Sequence, residues 1–260
     1  AVKAGAVVID NSSAFRMDPD VPLVVPEVNP QAILKHKGII ANPNCSTIIM
    51  VMALKPIYDL AKIKRVIVST YQAVSGAGKE GIDELDAQVR EHSEGREMTA
   101  NILPSASAEK HYPIAFNLIP QIDVFCDNLY TKEEMKMVNE TKKIMEDYEM
   151  RITATTIRVP VYRSHSESVN IELEKEVDLG AMREALAKFP GVTVQDDPSK
   201  QEYPMPLYTS EKDDVYVGRL RRDESCEKSY NMWVVGDQIR KGAALNTLQI
   251  AETMIKNGWI

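Results

Sequence analysis

Cys45 best fits covalent chemistry in this sequence, because it opens an apolar run directly after Asn42, Pro43 and Asn44. Proline keeps the residue before it out of helical backbone, so a tight turn is predicted to deliver the thiol to the start of a helix. Unpaired N–H groups and the positive end of the helix dipole favour the nucleophilic thiolate there. The same N–H groups could hold an oxyanion during acyl transfer. A buried structural cysteine is the alternative interpretation.

A thiolate nucleophile usually works with a base that titrates near pH 7, and the sequence has four histidines. His36 and His92 lie in polar segments that are expected to be solvated, and His111 precedes a Tyr-Pro pair. His165 lies among polar residues between two predicted strands. A lone histidine in such a turn is more often a surface residue. Spacing alone establishes no pairing between His165 and Cys45.

Ser75, Gly76, Ala77 and Gly78 follow a predicted strand and precede a predicted helix. Glycines in such a loop let the backbone approach a ligand closely, but Gly-x-Gly is a weak indication of a nucleotide site. An ordinary strand-to-helix turn explains the same residues.

Composition excludes several classes of protein. With 44% hydrophobic residues among 260, the chain can form one large core or two smaller ones. A net charge of −7 without a basic block argues against nucleic-acid binding. No apolar run approaches the roughly 20 residues of a membrane span. The three widely spaced cysteines argue against a disulfide framework or a metal site, and they indicate a cytoplasmic location.

Hydrophobic patterning predicts helices that alternate with the early strands and become fewer later, with a segment of different character at each end. Predicted strands cover residues 6–9, 38–41, 65–73, 152–161, 168–173, 192–195, 215–220 and 231–235, and predicted helices cover 47–58, 82–89, 131–146, 179–189 and 245–255. Thr131 and Glu134 form a capping box, Asp178 caps another helix, and Asn257 with Gly258 ends the last one. The pattern predicts an α+β domain with a mixed, largely antiparallel sheet, plus pieces of an α/β layer.

The sequence resembles the aspartate-semialdehyde dehydrogenase family over its whole length. The residues of its motifs are most similar to those of the Gram-positive bacterial branch. Seven segments carry the resemblance in the family's order: residues 10–16, 24–29, 42–47, 69–78, 158–161 leading to His165 and Ser166, 218–221, and 236–238. Each segment alone is modest evidence, whereas all seven in order are specific.

The resemblance implies three structural parts. Residues 1–44 are expected to be a remnant of an NADP-binding Rossmann domain, residues 45–238 a catalytic and dimerisation domain, and residues 239–260 a C-terminal helix packing on the remnant. The sequence opens in mid-pattern, so we expect that about 80 residues of the family's cofactor-binding half are absent. NADPH binding is therefore expected to be impaired, and the chain is expected to be inactive in hydride transfer by itself.

The resemblance also implies a reaction, the NADPH-dependent reductive dephosphorylation of L-aspartyl 4-phosphate in lysine, threonine and methionine biosynthesis. Cys45 matches the nucleophile that forms a thioacyl intermediate, His165 the acid/base, and Gln72 the residue that orients the acyl group. Arg158 matches the arginine that binds the substrate's α-carboxylate, for which a bidentate guanidinium is well suited.

Further positions match the family's binding residues. Arg16 and Asn44 match contacts to the departing phosphate, and Glu133 and Lys136 match a pair that binds the substrate's amino group and phosphate. By composition alone, that pair is an ordinary solvated i,i+3 ion pair. The nicotinamide-side contacts of the cofactor match Ser75, Gly76 and Gln238.

The expected partners are the small-molecule substrate and a second copy of the chain, as a homodimer or tetramer, without nucleic acid, membrane or metal. Two alternatives stay open: a reductase of a related acyl phosphate or acyl-CoA, and a non-catalytic dimerisation fragment. A cysteine hydrolase is a further alternative for which no sequence feature argues.

Overall fold

The computed structural model describes residues 1–259, which form eight β-strands and six α-helices. The strands are β1 (Val8–Asp10), β2 (Ile39–Ala41), β3 (Ile63–Gln72), β4 (Arg151–Arg158), β5 (His165–Leu173), β6 (Val192–Val194), β7 (Val215–Arg222) and β8 (Ser229–Gly236). The helices are α1 (Cys45–Leu60), α2 (Lys79–Ser93), α3 (Lys132–Ile144), α4 (Leu179–Lys188), α5 (Pro206–Thr209) and α6 (Leu245–Asn257). Every predicted strand and helix is therefore present, with shifted ends. No helix among these residues is long and apolar enough to span a membrane.

Six strands form one mixed sheet in the order β4-β3-β5-β8-β7-β6. Three of its strand pairs are antiparallel (β3 with β5, β5 with β8, β7 with β8), and two are parallel (β3 with β4, β6 with β7). The predicted mixed, largely antiparallel sheet is confirmed. In this arrangement the ends of β3, β4 and β8 meet the start of β5 at one edge. Gln72 therefore lies opposite Arg158, and His165 opposite Gly236.

Helix α1 is the centre of the main core. Asn44 is its N-cap, and the Asn44 side chain accepts a hydrogen bond from the Thr47 N–H at 3.2 Å, as expected for an asparagine in this position. Residues 48–54 are all fully buried, and the helix contacts the large sheet, α3 and α4. Each such apolar side chain contributes about 1.5–3 kcal/mol by leaving water. The predicted apolar helix is confirmed, but it begins at Cys45 itself and not at Thr47.

Helix α3 begins with the predicted capping box. The Thr131 hydroxyl accepts from the Glu134 N–H at 3.2 Å, and the Glu134 carboxylate accepts from the Thr131 N–H at 2.7 Å. The second carboxylate oxygen of Glu134 accepts from the Thr156 N–H at 3.0 Å. One side chain thus both starts the helix and fixes it against β4, which sets the position of the residues that α3 carries.

The ends of the chain form a smaller layer. Strands β1 and β2 pair in parallel, and α6 packs against this layer in an apolar cluster that includes Val24, Ile33, Ile40, Ile250 and Met254. Buried polar contacts connect the parts that the sequence analysis separated: the Asn246 side chain donates to Asn42 Oδ1 at 2.7 Å and to the Val24 carbonyl at 2.9 Å. The boundaries after residues 44 and 238 stay a prediction.

The segment around His165 differs from the prediction. We predicted a polar turn before a strand starting at Ser168, but β5 starts at His165, and residues 164–167 are almost completely buried. Polar residues usually indicate solvated turns. Here β5 lies between β3 and β8, and both neighbours satisfy its backbone hydrogen bonds.

Candidate active site

The Cys45 thiol is half-buried at the first position of α1. A Cβ atom added at Gly242 would lie 2.9 Å from Cys45 Cβ and 3.5 Å from Gln238 Cβ. Only a glycine therefore fits at position 242. Its backbone belongs to a π-helix (Arg240–Ala244) that follows β8, and it brings the C-terminal segment directly against the cysteine.

Asn44 is fixed on both sides of its amide group. Its Oδ1 caps α1, and its Nδ2 donates to Glu133 Oε1 at 2.9 Å. The same Glu133 oxygen accepts from Gln72 Nε2 at 3.2 Å, and Gln72 Oε1 accepts from the Thr70 hydroxyl at 2.9 Å. Glu133 thus joins the start of α1 to the end of β3.

The Glu133–Lys136 pair is not the solvated surface pair that composition suggests. Glu133 is only 5% exposed, and Lys136 Nζ lies 3.1 Å from its Oε2. Lys136 Nζ also donates to Asp123 Oδ2 at 3.0 Å, a partner that sequence reasoning missed. Burial lowers the pKa of Lys136, but Glu133 and Asp123 outweigh it and raise that pKa overall, so the ammonium stays charged.

Arg158 ends β4 as a buried guanidinium. Its Nη1 donates to the Ala73 carbonyl at 2.6 Å, whereas its buried Nε has no hydrogen-bond partner in the part of the chain that the structure describes. Burial lowers the pKa of Arg158, and Glu133 is the carboxylate that chiefly opposes this effect. A buried cation with an unused donor is suited to bind an anionic group of a ligand.

His165 lies beside Arg158 and is fully buried, in contrast to the surface position expected for a histidine in a turn. Its Nδ1 accepts a hydrogen bond from the Ala73 N–H at 3.1 Å, so the neutral ring carries its proton on Nε2. That Nε2 has no partner among residues 1–259. Burial and the Arg158 charge hold the pKa of His165 well below its usual value. The imidazole is therefore neutral near pH 7.

The backbone of Ala73 positions two of the predicted site residues, because its N–H donates to His165 and its carbonyl accepts from Arg158. Gly76 packs closely against Arg158 and His165. A Cβ atom at position 76 would lie 2.6 Å from Arg158 Nη1 and 3.4 Å from His165 Cε1. The absence of a side chain at Gly76 is thus a requirement of the site.

Ser75 and Gln238 come together from distant parts of the chain. Gln238 Nε2 donates to the Ser75 hydroxyl, and Gln238 Oε1 accepts from the Ser164 N–H at 2.9 Å. Sequence reasoning also overlooked that Gly76, Gly78 and Gly81 complete a Gly-x-Gly-x-x-Gly pattern. The pattern follows β3 of the mixed sheet and not a strand of the small parallel layer, so its context differs from that of a dinucleotide fingerprint.

Arg16 approaches from the loop after β1 and is 8% exposed. Its Nη1 pairs with Glu140 at 3.2 Å, and its Nη2 donates to the Asn11 carbonyl at 3.0 Å. Lys143 fixes this loop by donating to the carbonyls of Arg16, Asp18 and Val21 at 2.7–2.8 Å. Sequence reasoning missed Glu140, although it follows Glu133 and Lys136 at helical spacing.

Contacts thus connect all eleven predicted site residues into one cluster at the end of the large sheet. No group of three or more histidine, cysteine or acidic side chains within residues 1–259 could hold a metal ion. The expected thiolate, however, is not the resting form of Cys45. Burial and Glu133 raise the pKa of the thiol to about 12, and the Ser46 N–H, Arg158 and Arg16 only partly oppose them.

Comparisons with known proteins give the family. The family described as "Semialdehyde dehydrogenase, dimerisation domain" matches residues 54–241, and "Semialdehyde dehydrogenase, NAD binding domain" matches residues 1–36. Aspartate-semialdehyde dehydrogenase of Aquifex aeolicus is 57% identical over 260 residues, which cover 99% of this chain and 75% of that protein.

Solved structures agree with the sequence matches. Aspartate semialdehyde dehydrogenase II from Vibrio cholerae complexed with ASA has a TM-score of 0.92 and 48% identity, covering 98% of this chain and 74% of that one. Aspartate semialdehyde dehydrogenase with NADP from Candida albicans has a TM-score of 0.74 and 25% identity, covering 100% of this chain and 73% of that one. This chain thus spans about three quarters of the length of each of these relatives.

Because its pKa is raised to about 12, the Cys45 thiol should be alkylated slowly by iodoacetamide at pH 7, with a rate that rises about tenfold per pH unit until near that value. Peptide mass spectrometry measures the rate, and the exposed Cys226 is the internal reference for the reagent. Glu133→Gln should accelerate labelling of Cys45 at pH 8 without changing that of Cys226. Faster labelling of Cys45 than of Cys226 at pH 7 would contradict this assignment.

Proposed function

The chain belongs to the aspartate-semialdehyde dehydrogenase family, and on that premise we propose that its Cys45 is acylated by L-aspartyl 4-phosphate on the way to L-aspartate 4-semialdehyde. The observation that carries the proposal is the buried Arg158 guanidinium, which has an unused donor at the same sheet edge as Gln72 and His165. A small substrate with a carboxylate at one end and an acyl phosphate at the other fits between this cation and Arg16.

In the acylation step, Cys45 Sγ forms a bond to the acyl carbon and the bond from that carbon to the phosphate oxygen breaks. The thiol is protonated at rest, so its proton leaves to the phosphate group or to solvent as the sulfur attacks. Arg16 and Lys136 supply positive charge for the departing phosphate, and the carboxylates that pair with them also hold Asn44, the residue before the nucleophile. N–H groups at the start of α1 stabilise the oxyanion.

Arg158, Glu133 and Gln72 hold the acyl end. A guanidinium binds the α-carboxylate in a bidentate manner, whereas the Glu133 carboxylate accepts from the α-ammonium group. Gln72 already donates to Glu133, so its amide is held at a fixed distance from that carboxylate. The three side chains thus orient the acyl carbon toward Cys45, which is the positional contribution to catalysis.

In the reduction step, a bound nicotinamide cofactor would supply a hydride to the thioester carbon. The C–S bond then breaks to release the aldehyde, and the Cys45 thiolate takes up a proton from solvent. His165 Nε2 carries a hydrogen that has no partner within the described part of the chain, and this N–H donates a hydrogen bond to the oxygen that gains negative charge. The neutral ring thus stabilises the oxyanion, which is the part of the acid/base role implied by the family resemblance that this charge state supports. The Ala73 N–H keeps the ring in the required tautomer.

Ser75, Gly76 and Gln238 would hold the nicotinamide end of the cofactor, which we take to be NADPH, as the NADP complex of the Candida albicans relative supports. The Ser75–Gln238 hydrogen bond and the close contact of Gly76 with Arg158 and His165 place these three residues beside the proposed acyl site. The small parallel layer has only β1 and β2 among residues 1–259, and a dinucleotide normally binds across a wider parallel sheet.

The acylation proposal is tested without any cofactor. Freshly prepared L-aspartyl 4-phosphate should release one equivalent of phosphate per chain and leave an aspartyl thioester on Cys45, as read by mass spectrometry. Cys45→Ser should abolish both signals. Arg158→Lys should reduce the acylation efficiency by about 10- to 100-fold, because a point charge replaces a bidentate fork. Thioester formation on Cys126 or Cys226, or none at all, would reject the proposal and favour a non-catalytic dimerisation fragment.

Cofactor affinity is tested separately by isothermal titration calorimetry. With contacts only to the nicotinamide end, NADPH should bind this chain weakly, with a dissociation constant of about 1 mM or above. NADH should bind equally weakly, because discrimination requires contacts near the adenosine ribose. Micromolar binding with a preference for NADPH would show that residues 1–259 hold the whole dinucleotide.

The face of the large sheet turned away from α1 is the proposed dimer interface. Side chains alternate between faces along a strand, and Val66, Val68, Val169 and Ile171 belong to the main core. The residues between them lie on the other face, including Tyr71, Ser168 and Trp233, with the Tyr71 and Trp233 rings 5.4 Å apart. This sheet belongs to the segment that matches a dimerisation domain.

A charge on the open face should therefore prevent homodimer formation. Ser168→Arg places a guanidinium on the central strand β5, and we expect a monomer by size-exclusion chromatography with light scattering. Ala187→Arg adds the same charge at an exposed position of α4, and it should leave the dimer intact. Equal behaviour of the two variants would exclude this face as the interface.

A further inference from the structure

Glu140 is a buried carboxylate that none of the catalytic steps uses. It lies on α3, one turn beyond Lys136, and is 1% exposed. Helical spacing places it on the same face as Glu133, Lys136 and Met137. A buried carboxylate is unfavourable unless its oxygens are paired. The hydrogen-bond partners of the Glu140 carboxylate therefore indicate its role.

Each Glu140 oxygen holds a different segment of the site. Oε1 pairs with Arg16 Nη1 at 3.2 Å, and Oε2 accepts from the backbone N–H of Asn44 at 2.7 Å. Arg16 belongs to the loop after β1, whereas Asn44 is the residue directly before the nucleophile. Glu140 thus links the Arg16 guanidinium to the start of α1, and Arg16 and Asn44 are about 30 positions apart in sequence.

Asn44 shows how closely this link controls the sulfur. Its N–H is held by Glu140, its Nδ2 by Glu133, and its Oδ1 by the Thr47 N–H at the first turn of α1. Two of the three anchors come from α3. The backbone that carries Cys45 therefore cannot shift relative to α3 without breaking a hydrogen bond to a buried carboxylate.

Arg16 is held in a corresponding way. Its Nη1 donates to Glu140 and its Nη2 donates to the Asn11 carbonyl, whereas its buried Nε has no hydrogen-bond partner among residues 1–259. Arg16 and Glu140 line a cavity of about 210 Å³ together with Ser13, Lys132, Lys136 and Asn139. Such a cavity, with three cationic side chains and a buried unused donor, suits a phosphate group.

We propose that Glu140 is a positioning residue that sets the distance between Arg16 and Cys45, so that a phosphate on Arg16 is aligned for departure from the acyl carbon. The inference rests on the proposed function, in which Arg16 binds the departing phosphate. It assigns Glu140 to phosphate binding and not to the acyl end, which Arg158 and Gln72 hold. Burial raises the pKa of Glu140, and Arg16 and the Asn44 N–H oppose that rise, so its charge depends on the same two partners.

The test measures how inorganic phosphate protects Cys45 from iodoacetamide at pH 9 in the 260-residue chain. Glu140→Gln keeps an acceptor for the Asn44 N–H but loses the charge that holds Arg16. We expect the half-protecting phosphate concentration to rise about tenfold. Protection by L-aspartate 4-semialdehyde, which lacks the phosphate, should be unchanged. Arg16→Lys should weaken phosphate protection similarly, and the double variant should be no weaker than either single variant.

Glu149→Gln is the matched control, because it removes a carboxylate at an exposed position shortly after α3. Circular dichroism establishes that each variant is folded. If Glu140→Gln fails to fold, Glu140→Asp replaces it: the charge is kept, the side chain is one methylene shorter, and phosphate protection should still weaken several-fold.

The outcomes separate the two proposals. If Arg16→Lys weakens phosphate protection and both Glu140 variants behave like Glu149→Gln, only the role of Glu140 is wrong. Equal weakening of phosphate and semialdehyde protection would make Glu140 a general structural residue, which also overturns the inference. If phosphate does not protect the unaltered chain, or Arg16→Lys has no effect, the phosphate subsite of the proposed function is wrong and the role of Glu140 with it.

Discussion

The attachment of the α1 N-terminus to α3 is the constraint on which the rest of this site depends. Asn44 carries the cap of α1, and the carboxylates of Glu133 and Glu140 hold its amide and its backbone N–H. Since α3 is itself fixed to β4 through Glu134, the nucleophile is placed relative to the large sheet by a continuous set of hydrogen bonds. The acceptors of this set are carboxylates, and charged hydrogen bonds are stronger than neutral ones.

Burial and a few neighbouring charges explain the resting charge state of the site. A helix start, Arg16 and Arg158 all favour a thiolate, but burial and Glu133 outweigh them, and the thiol stays protonated. His165 is neutral for a related reason, because burial and Arg158 oppose a second positive charge. The free site therefore combines a neutral nucleophile and a neutral acid with uncompensated donors on Arg16 and Arg158. A substrate with two anionic groups would accept from those donors, so the hydrogen bonding of the two guanidinium groups is completed by the substrate and not by the protein.

Backbone geometry around Ala73 and Gly76 provides the second support of the site. A strand end, a short 3-10 turn (Val74–Ala77) and the start of β5 meet there, and the backbone N–H and carbonyl of Ala73 orient the histidine and the arginine. The tight packing of Gly76 and Gly242 brings backbone close to reacting side chains. Both glycines lie next to proposed cofactor contacts, and the space that a side chain would occupy there is filled by Arg158 and Cys45.

Sequence by itself determined the elements whose signals are local. The apolar run after Cys45, the Thr131–Glu134 capping box and the Asp178 cap each depend on residues a few positions apart, and all are present as predicted. The segments that resemble the family also identified the residues that gather at the sheet edge. Tertiary structure alone decided the burial of His165, the raised pKa of Cys45, and the partners Asp123 and Glu140. The physical reason is that burial and charge coupling depend on distances in space, which can join residues as far apart in sequence as Arg16 and Glu140, 124 positions, and which periodicity and capping patterns do not encode.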